Sequence, residues 1–591
     1  MFGSRMTASR VLVRLRRFVK NDQLILSFLA LAVGAATGGA VVAFREIISA
    51  TQTWFYASGT ERLFQHAQHL PWYWLVAAPA IGGLLVGLLI RYGMPNKRPV
   101  GVADVIEASA LRGGRMSLTD GLRGAVVNAV SVGAGASVGR EGPAVHLGAS
   151  LGGWLAKRLH LTRSMSRTLL GCGVAAAVAA SFNAPIAGAL FANEVVIGHY
   201  AISAFAPTVI ASVTGTAISR AFFGDFPAFI IAEHSIQSFL EFPAFVGLGI
   251  LCGLVAMVLM HWIGSVQKVV AQSPVPDWVR PGIAGLLIGI IALGFPQVLG
   301  IGYGATEAAM GNAFSMSMLL GILFAKTVAT AISLGGGFGG GIFSPALVIG
   351  SMLGAAYGLI ATQIFPTLSS GPGAYTIAGM GAMAAAVLGA PISTALIVFE
   401  MTGDYALTMA LMVSVVVATV ITQQLGMRSF FTFQLERRGL DLKGGFERTL
   451  MQSLKVGGIL VRTDDVVSPD TSLQSIRDKL QSCVYGELFV VRDNGELEGT
   501  ITLADLSDSA FDHDLDDLIK ADDVARLHPP VLSRSDDLET AMQMIRDTGE
   551  EHIAVVEDTE SMRFVGCLHV RDVQRAYTRA LVATRREERG E

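Results

Sequence analysis

One motif occurs twice in this chain, and it constrains the fold more than any other feature. Pro143-Ala-x-x-x-Gly148-x-x-Leu151-Gly152 returns as Pro345-Ala-x-x-x-Gly350-x-x-Leu353-Gly354. Downstream, Ala184-Pro185-Ile186 runs on to Glu194 and Ala390-Pro391-Ile392 runs on to Glu400, nine residues from proline to glutamate both times. The two pairs are offset by 202 and 206 residues, too similar for coincidence. The body of the chain is a duplicated unit.

That unit is apolar. From about residue 24 to 426, apolar segments alternate with Gly, Pro and short polar stretches. Of the 591 residues, 52% are hydrophobic and 15% charged, against about 25% charged in soluble domains. The 67 glycines suit helices that pack closely in lipid. Trp74–Ile90, Phe245–Trp262, Ile283–Phe295 with its flanks and Ala406–Thr422 are the clearest spans. Other segments fall short of the roughly 20 residues that cross a ~30 Å hydrocarbon core. They predict helices that enter the membrane and stop inside it, which is tolerated only where backbone is buried in protein or lines a cavity. Broken segments at matching places in two halves point to a midplane binding site.

The expected architecture is an α-helical polytopic membrane domain over 23–447, with halves at about 23–235 and 236–435. Before it lies a basic segment, 1–22, with Arg10, Arg14, Arg16, Arg17 and Lys20. Such charge beside the first span predicts a cytoplasmic N-terminus, and no small-residue cleavage site marks a removable signal. Both termini are therefore expected in the cytoplasm, with the body in an inner or plasma membrane. The four cysteines are far apart and follow no metal or disulfide spacing. A formal charge of −3 gives no pull toward nucleic acid. Beyond Arg438 the composition turns polar. Residues 448–591 read as a soluble α/β tail, with strands at Glu487–Val491 and His552–Val556 and helical spacing at Thr471–Leu480 and Asp537–Arg546.

The broken segments carry the chemistry. Gly139-Arg140-Glu141-Gly142-Pro143 and Gly339-Gly340-Gly341-Ile342-Phe343-Ser344-Pro345 each place glycines before a proline suited to a helix's first turn. A helix start leaves N–H groups without intrahelical partners and gathers the positive end of the dipole. Two such starts meeting inside a membrane would bind an anion and repel a cation. The plainer alternative is a pair of breaks needed only for packing. Glu141 sits in this turn, and a carboxylate within a membrane segment is functional by default. Its charge can occupy the anion's place, or it can pair with Arg140.

These two motifs, with the segment ending Glu400-Met401-Thr402, resemble the CLC family of chloride channels and chloride–proton antiporters. The resemblance covers almost the whole chain. It implies inverted repeats of tilted helices, a homodimer with one chloride pathway per subunit, and a gating glutamate at Glu141. It also implies an anion site built from Gly139, Arg140, Glu141, Gly142, Gly341, Ile342 and Phe343, with amides around Ile342 and Phe343 as donors. Three positions depart from the family. Val100 stands where the family has a serine hydroxyl, and Phe431 where it has a tyrosine. Val195 stands at the proton-relay position, normally a second glutamate, and Glu194 is the nearest substitute carboxylate. Valine cannot hold a proton. The departures favour a passive chloride channel or uncoupled carrier gated by Glu141, with a proton-coupled antiporter using a non-standard relay as the alternative.

The tail resembles a tandem pair of CBS domains, at about 455–515 and 520–582. Gly499-Thr-Ile-Thr502-x-x-Asp505 matches the family's ribose-contacting motif, so Thr502 and Asp505 are the expected contacts for an adenine nucleotide. In the second copy His569 replaces the hydroxyl, and a purely structural, dimerising tail remains the alternative. No zinc-spaced His pair, nucleophile elbow or P-loop occurs. No enzymatic activity, metal or other cofactor is expected. The partners expected are chloride, lipid and a second copy of the chain.

Overall fold

Proline and glycine set the ends of most membrane helices in this chain. A computed structural model describes residues 22–589, apart from 61, 199, 226–235, 237, 404–406, 441–450, 452–453, 484–485, 507–515 and 517. The basic segment before residue 22 lies outside the described residues. The chain divides between Leu440 and Asp441 into two units.

Six helices among the described residues of the first unit are long and apolar enough to span a membrane, including Trp72–Gly93, Phe239–Gln272 and Phe343–Ile364. Their outer faces carry exposed Leu88, Leu254 and Phe324, a surface suited to lipid. Two segments read as full spans are shorter helices instead. Arg280–Gly294 has 15 residues and stops just before Phe295, because the residue preceding Pro296 is driven out of the helical region. Thr408–Gln424 has 17.

The sequence repeat is a packing repeat. Helices Glu141–Leu159 and Arg163–Phe182 cross where a side-chain carbon on Gly148 would fall 2.3 Å from the Gly173 carbonyl oxygen. In the second half, Phe343–Ile364 and Pro372–Leu388 cross where a carbon on Gly350 would fall 2.3 Å from the Gly379 carbonyl oxygen. One turn on, Gly152 and Gly354 lie against the carbonyls of Leu169 and Tyr375, each with 2.2 Å for an added carbon. Only glycine fits at these four places. The motif therefore records where two backbones touch.

The second repeated motif is a pair of reciprocal helix caps. Glu194 accepts the N–H groups of Ile392 (3.1 Å) and Ser393 (2.8 Å), at the start of helix Pro391–Thr402. Glu400 accepts those of Ile186 (3.1 Å) and Ala187 (2.8 Å), at the start of helix Pro185–Phe191. Each half supplies the anion that completes a helix start in the other. A helix cap of this kind contributes about 0.5–2 kcal/mol, and lipid offers no water to replace it.

The second unit holds two small sheets. One has the order β1-β2-β3-β4, from Val466–Val467, Glu487–Val491, Leu497–Thr502 and Arg526–Leu527. The other has the order β5-β6-β7, from Val531–Ser533, His552–Val556 and Phe564–His569. Both strands expected from the sequence lie where expected, and helices Leu473–Ser482 and Leu538–Thr548 follow the two helical stretches. In each sheet a parallel neighbour (β1, β5) and an antiparallel one (β3, β7) flank a buried central strand. Glu487 on β2 is buried, and its Oε2 lies 3.7 Å from Nδ1 of His552 on β6. Burial pushes the Glu487 carboxyl up to about 7. An acid whose folded value is raised stabilises the fold fully below its unfolded value near 4.3 and loses that contribution as pH rises through 7. Thermal melts of the tail from pH 5 to 8 are therefore expected to show wild type losing stability relative to Glu487→Gln. Parallel curves would mean that Glu487 titrates normally.

Candidate functional site

The two broken segments meet. Gly139 and Gly341 form an isolated antiparallel bridge, each N–H donating to the other's carbonyl at 2.7 Å. An added carbon on Gly142 would sit 3.1 Å from the Gly341 Cα, so the backbones touch here too. Immediately after the bridge the chain enters helices Glu141–Leu159 and Phe343–Ile364. Pro143 and Pro345 are the third residues of these helices. The N–H groups of Glu141, Gly142, Ile342 and Phe343 have no intrahelical partner by helix geometry. Gly139 and Gly341, expected among the anion-contacting residues, instead have each N–H engaged by the other's carbonyl. Their contribution is the close approach that brings the two helix starts together.

Glu141 is the first residue of its helix and 4% exposed. Its Oε1 accepts from the hydroxyls of Tyr303 (3.0 Å) and Ser344. Its Oε2 accepts no hydrogen bond among the described residues and lies against Gly139, where an added carbon would be 2.4 Å away. The carboxylate thus sits at the junction of both helix starts, held by one hydroxyl from the second broken helix and one from helix Tyr303–Met310. The Arg140 guanidinium lies over the Tyr303 ring, 5.5 Å from its centroid. A buried lysine orders this corner. Lys326 Nζ donates to the carbonyls of Val298 and Gly300 at 2.9 Å each. It fixes the turn that ends in Gly302, at φ 91°, just before Tyr303.

A cavity of about 340 Å³ opens beside Glu141. Gly142, Ile342 and Phe343 line it, and so do Val100 and Phe431, so the segments matched to the lost hydroxyls do converge on the anion junction. Arg98, Arg437 and Arg438 also line it. Arg98 pairs with Asp104 at 2.6 Å, and Arg438 pairs with Asp104 at 3.1 Å and with Glu107 at 3.6 Å. The wall is cationic on balance and draws anions.

Val195 is half-buried in a π-helical turn, Ala192–Ile197, and packs on the apolar core. Π-turns of this kind often mark functional positions. The neighbouring Glu194 carboxylate is engaged in its cap. In the tail, Asp505 Oδ2 accepts from both the N–H (2.8 Å) and the hydroxyl (2.7 Å) of Thr502, so the two residues form one local turn.

Sequence reading gave no role to Tyr303, Ser344, Lys326 or the cavity arginines. Ser344 stood inside the second motif and could have been weighed. Tyr303 is 162 residues from Glu141 and left no local signal.

A duplicated helical body whose halves meet at broken helix starts, around one buried carboxylate and a cationic cavity, is a membrane transport protein. Residues 82–423 match the family model described as voltage gated chloride channel, and residues 456–511 and 521–579 match the CBS domain. The chain belongs to this chloride-transporting family and is an integral membrane protein with a tandem CBS tail. It is 33% identical over 413 residues to a ClcB-like protein of Ralstonia nicotianae, named as a chloride channel, covering 69% of this chain and 96% of that one. It is 31% identical over 439 residues to the H(+)/Cl(-) exchange transporter ClcA of Cronobacter sakazakii, covering 72% and 92%. A solved slow cyanobacterial Cl-/H+ antiporter superposes with a TM-score of 0.63 at 26% identity, covering 70% of this chain and 97% of that one.

The hydroxyls on Glu141 set how firmly the carboxylate holds its place. A hydrogen bond to a charged group contributes about 1.5–3 kcal/mol, and Ser344 would keep part of the hold. Tyr303→Phe is expected to raise chloride flux about tenfold under conditions that keep the wild type closed, measured as efflux from vesicles. An unchanged rate would show that Tyr303 does not restrain the carboxylate.

Proposed function

We propose that this chain exchanges chloride for protons, with Glu141 as the moving group. The observation that carries the reading is the position of that carboxylate, at the meeting point of two helix starts and beside the cationic cavity. One negative charge fits there, either the carboxylate or a chloride. A chloride arriving from the cavity displaces the carboxylate, and protonation removes the charge that would bring it back. Anion and proton occupancy are thereby linked at one place. Relatives and a solved structure named as Cl-/H+ exchangers support this reading over a passive channel. Val195 favours the second reading, an uncoupled pathway, because a valine at the family's relay position cannot carry a proton.

The amides of Ile342 and Phe343 are the proposed anion donors, with Gly142 admitting the ion by its small size. The proposed assembly is a homodimer in an inner or plasma membrane, with both termini cytoplasmic. Thr502 and Asp505 are proposed to meet the ribose of an adenine nucleotide, which would share the carboxylate that Thr502 now occupies.

Proteoliposomes with an outward chloride gradient and no pH difference test the coupling. Sustained proton uptake at a fixed ratio to chloride is expected, whereas chloride efflux without proton movement would establish the channel reading. Glu141→Gln, which mimics the protonated acid, is expected to abolish proton uptake and leave chloride flux largely independent of pH. Full retention of the parent's pH dependence would remove Glu141 from the gate.

Val100 and Phe431 bring no hydroxyl to the anion. Calorimetry is expected to find weak chloride binding, and Val100→Ser with Phe431→Tyr should tighten it about a hundredfold or more, because a hydrogen bond to a charged group contributes about 1.5–3 kcal/mol. Low-micromolar affinity in the parent would mean that other donors replace them.

A further inference from the structure

Coupled exchange needs a titratable group between Glu141 and the solvent at the far end of the proton path. Val195 does not provide one. Most buried ionisable side chains nearby are engaged: Glu194 caps Ile392 and Ser393, Glu400 caps Ile186 and Ala187, and Lys326 is held by two carbonyls. Glu241 accepts the N–H and hydroxyl of Ser370. His146 is different. It is 4% exposed, and its Nδ1 has no hydrogen-bond partner among the described residues. A buried polar atom left unpaired is uncommon and calls for an explanation.

His146 lies on the same helix as Glu141, five residues on. The axial separation is about 7.5 Å and the two side chains project about 140° apart around the helix, so a chain of several waters must link them. It lines a second cavity of about 120 Å³, distinct from the anion cavity but bordering it. Arg98, Val100 and Asp104 line both. The second cavity reaches the exposed side chains Arg112 and Arg115, so it opens to solvent. The charges facing His146 come from the loop and helix around Asp104 and from the start of helix Leu118–Gly133. Asp104, Glu107 and Asp120 favour an imidazolium there, while Arg98, Arg112 and Arg115 oppose it. Arg98 is already paired with Asp104, and Arg112 with Glu107 at 2.5 Å, which largely cancels both pairs and leaves Asp120 and Arg115 outside them.

We propose that His146 is the proton relay of this transporter, in place of the missing glutamate at Val195. Resting on the exchange reading, the step balances simply. A proton from the bulk solvent reaches the imidazole through water in the smaller cavity, which is left as neutral water, and the imidazolium passes its proton through water beside Val100 to the Glu141 carboxylate. Glu141 becomes neutral and His146 returns to its neutral form. Asp120, which also lines the smaller cavity, is the carboxylate that offsets the charge of the imidazolium. The smaller cavity is lined by neither Val195 nor Glu194, so the route does not pass through the position of the lost glutamate.

The test measures proton uptake and chloride efflux together in proteoliposomes of the full chain. His146→Gln is expected to lower the proton-to-chloride ratio about tenfold or more, on the scale of losing one acid–base group. An unchanged ratio in this variant, with coupling in the parent, overturns the relay and leaves exchange standing. A parent that moves no protons overturns both. Should His146→Gln fail to fold, Asp120→Asn at the cavity wall decides. It is expected to lower the ratio about two- to threefold, the scale of one partly exposed charge interaction, and an unchanged ratio there counts against His146.

Discussion

Two hydrogen bonds between Gly139 and Gly341 hold this molecule's working part together. They tie two chain breaks to each other in the middle of a membrane domain, where unpaired backbone is costly. Because the breaks satisfy one another, neither helix has to continue through that point. Both can begin there instead, and their positive ends converge on one small volume. Every other feature of the site follows from that convergence. Glu141 is stable there because a carboxylate at a helix start is favoured.

The surrounding architecture serves to keep the two halves in register. The glycine crossings at Gly148 with Gly173 and Gly350 with Gly379 let helix pairs touch backbone to backbone in both halves. The caps from Glu194 and Glu400 then lock each half to a helix start of the other. A shift of one half against the other would break both caps and misalign the bridge at once. The duplicated motifs are therefore constraints on relative position as much as on local structure. This also explains why Glu194 is a poor candidate to carry protons: protonating it would weaken a cap on which the junction depends.

Chemistry at the junction is modulated by groups that come from far away in the chain. Tyr303 and Ser344 hold the carboxylate, Lys326 fixes the turn before Tyr303, and Arg98, Arg437 and Arg438 colour the approaching cavity. Val100 and Phe431 bring no hydroxyl to that cavity.

The repeat, the Gly-x-x-x-Pro breaks, Glu141 and the polar tail were legible in the sequence because each depends on local chemistry or strict spacing. Glycine is required where backbones touch, proline suits a first turn, and a carboxylate in an apolar stretch needs a reason to be there. The convergence of Val100 and Phe431 on the site was legible only through family resemblance. What tertiary structure alone decided is who meets whom across hundreds of residues: that Gly139 and Gly341 answer each other's hydrogen bonds, that each half's glutamate caps the other, that Tyr303 reaches Glu141, and that His146 faces a polar cavity without a partner. Pairings of this kind depend on the three-dimensional crossing of helices, and helical periodicity carries no record of which distant neighbour a buried polar atom will find.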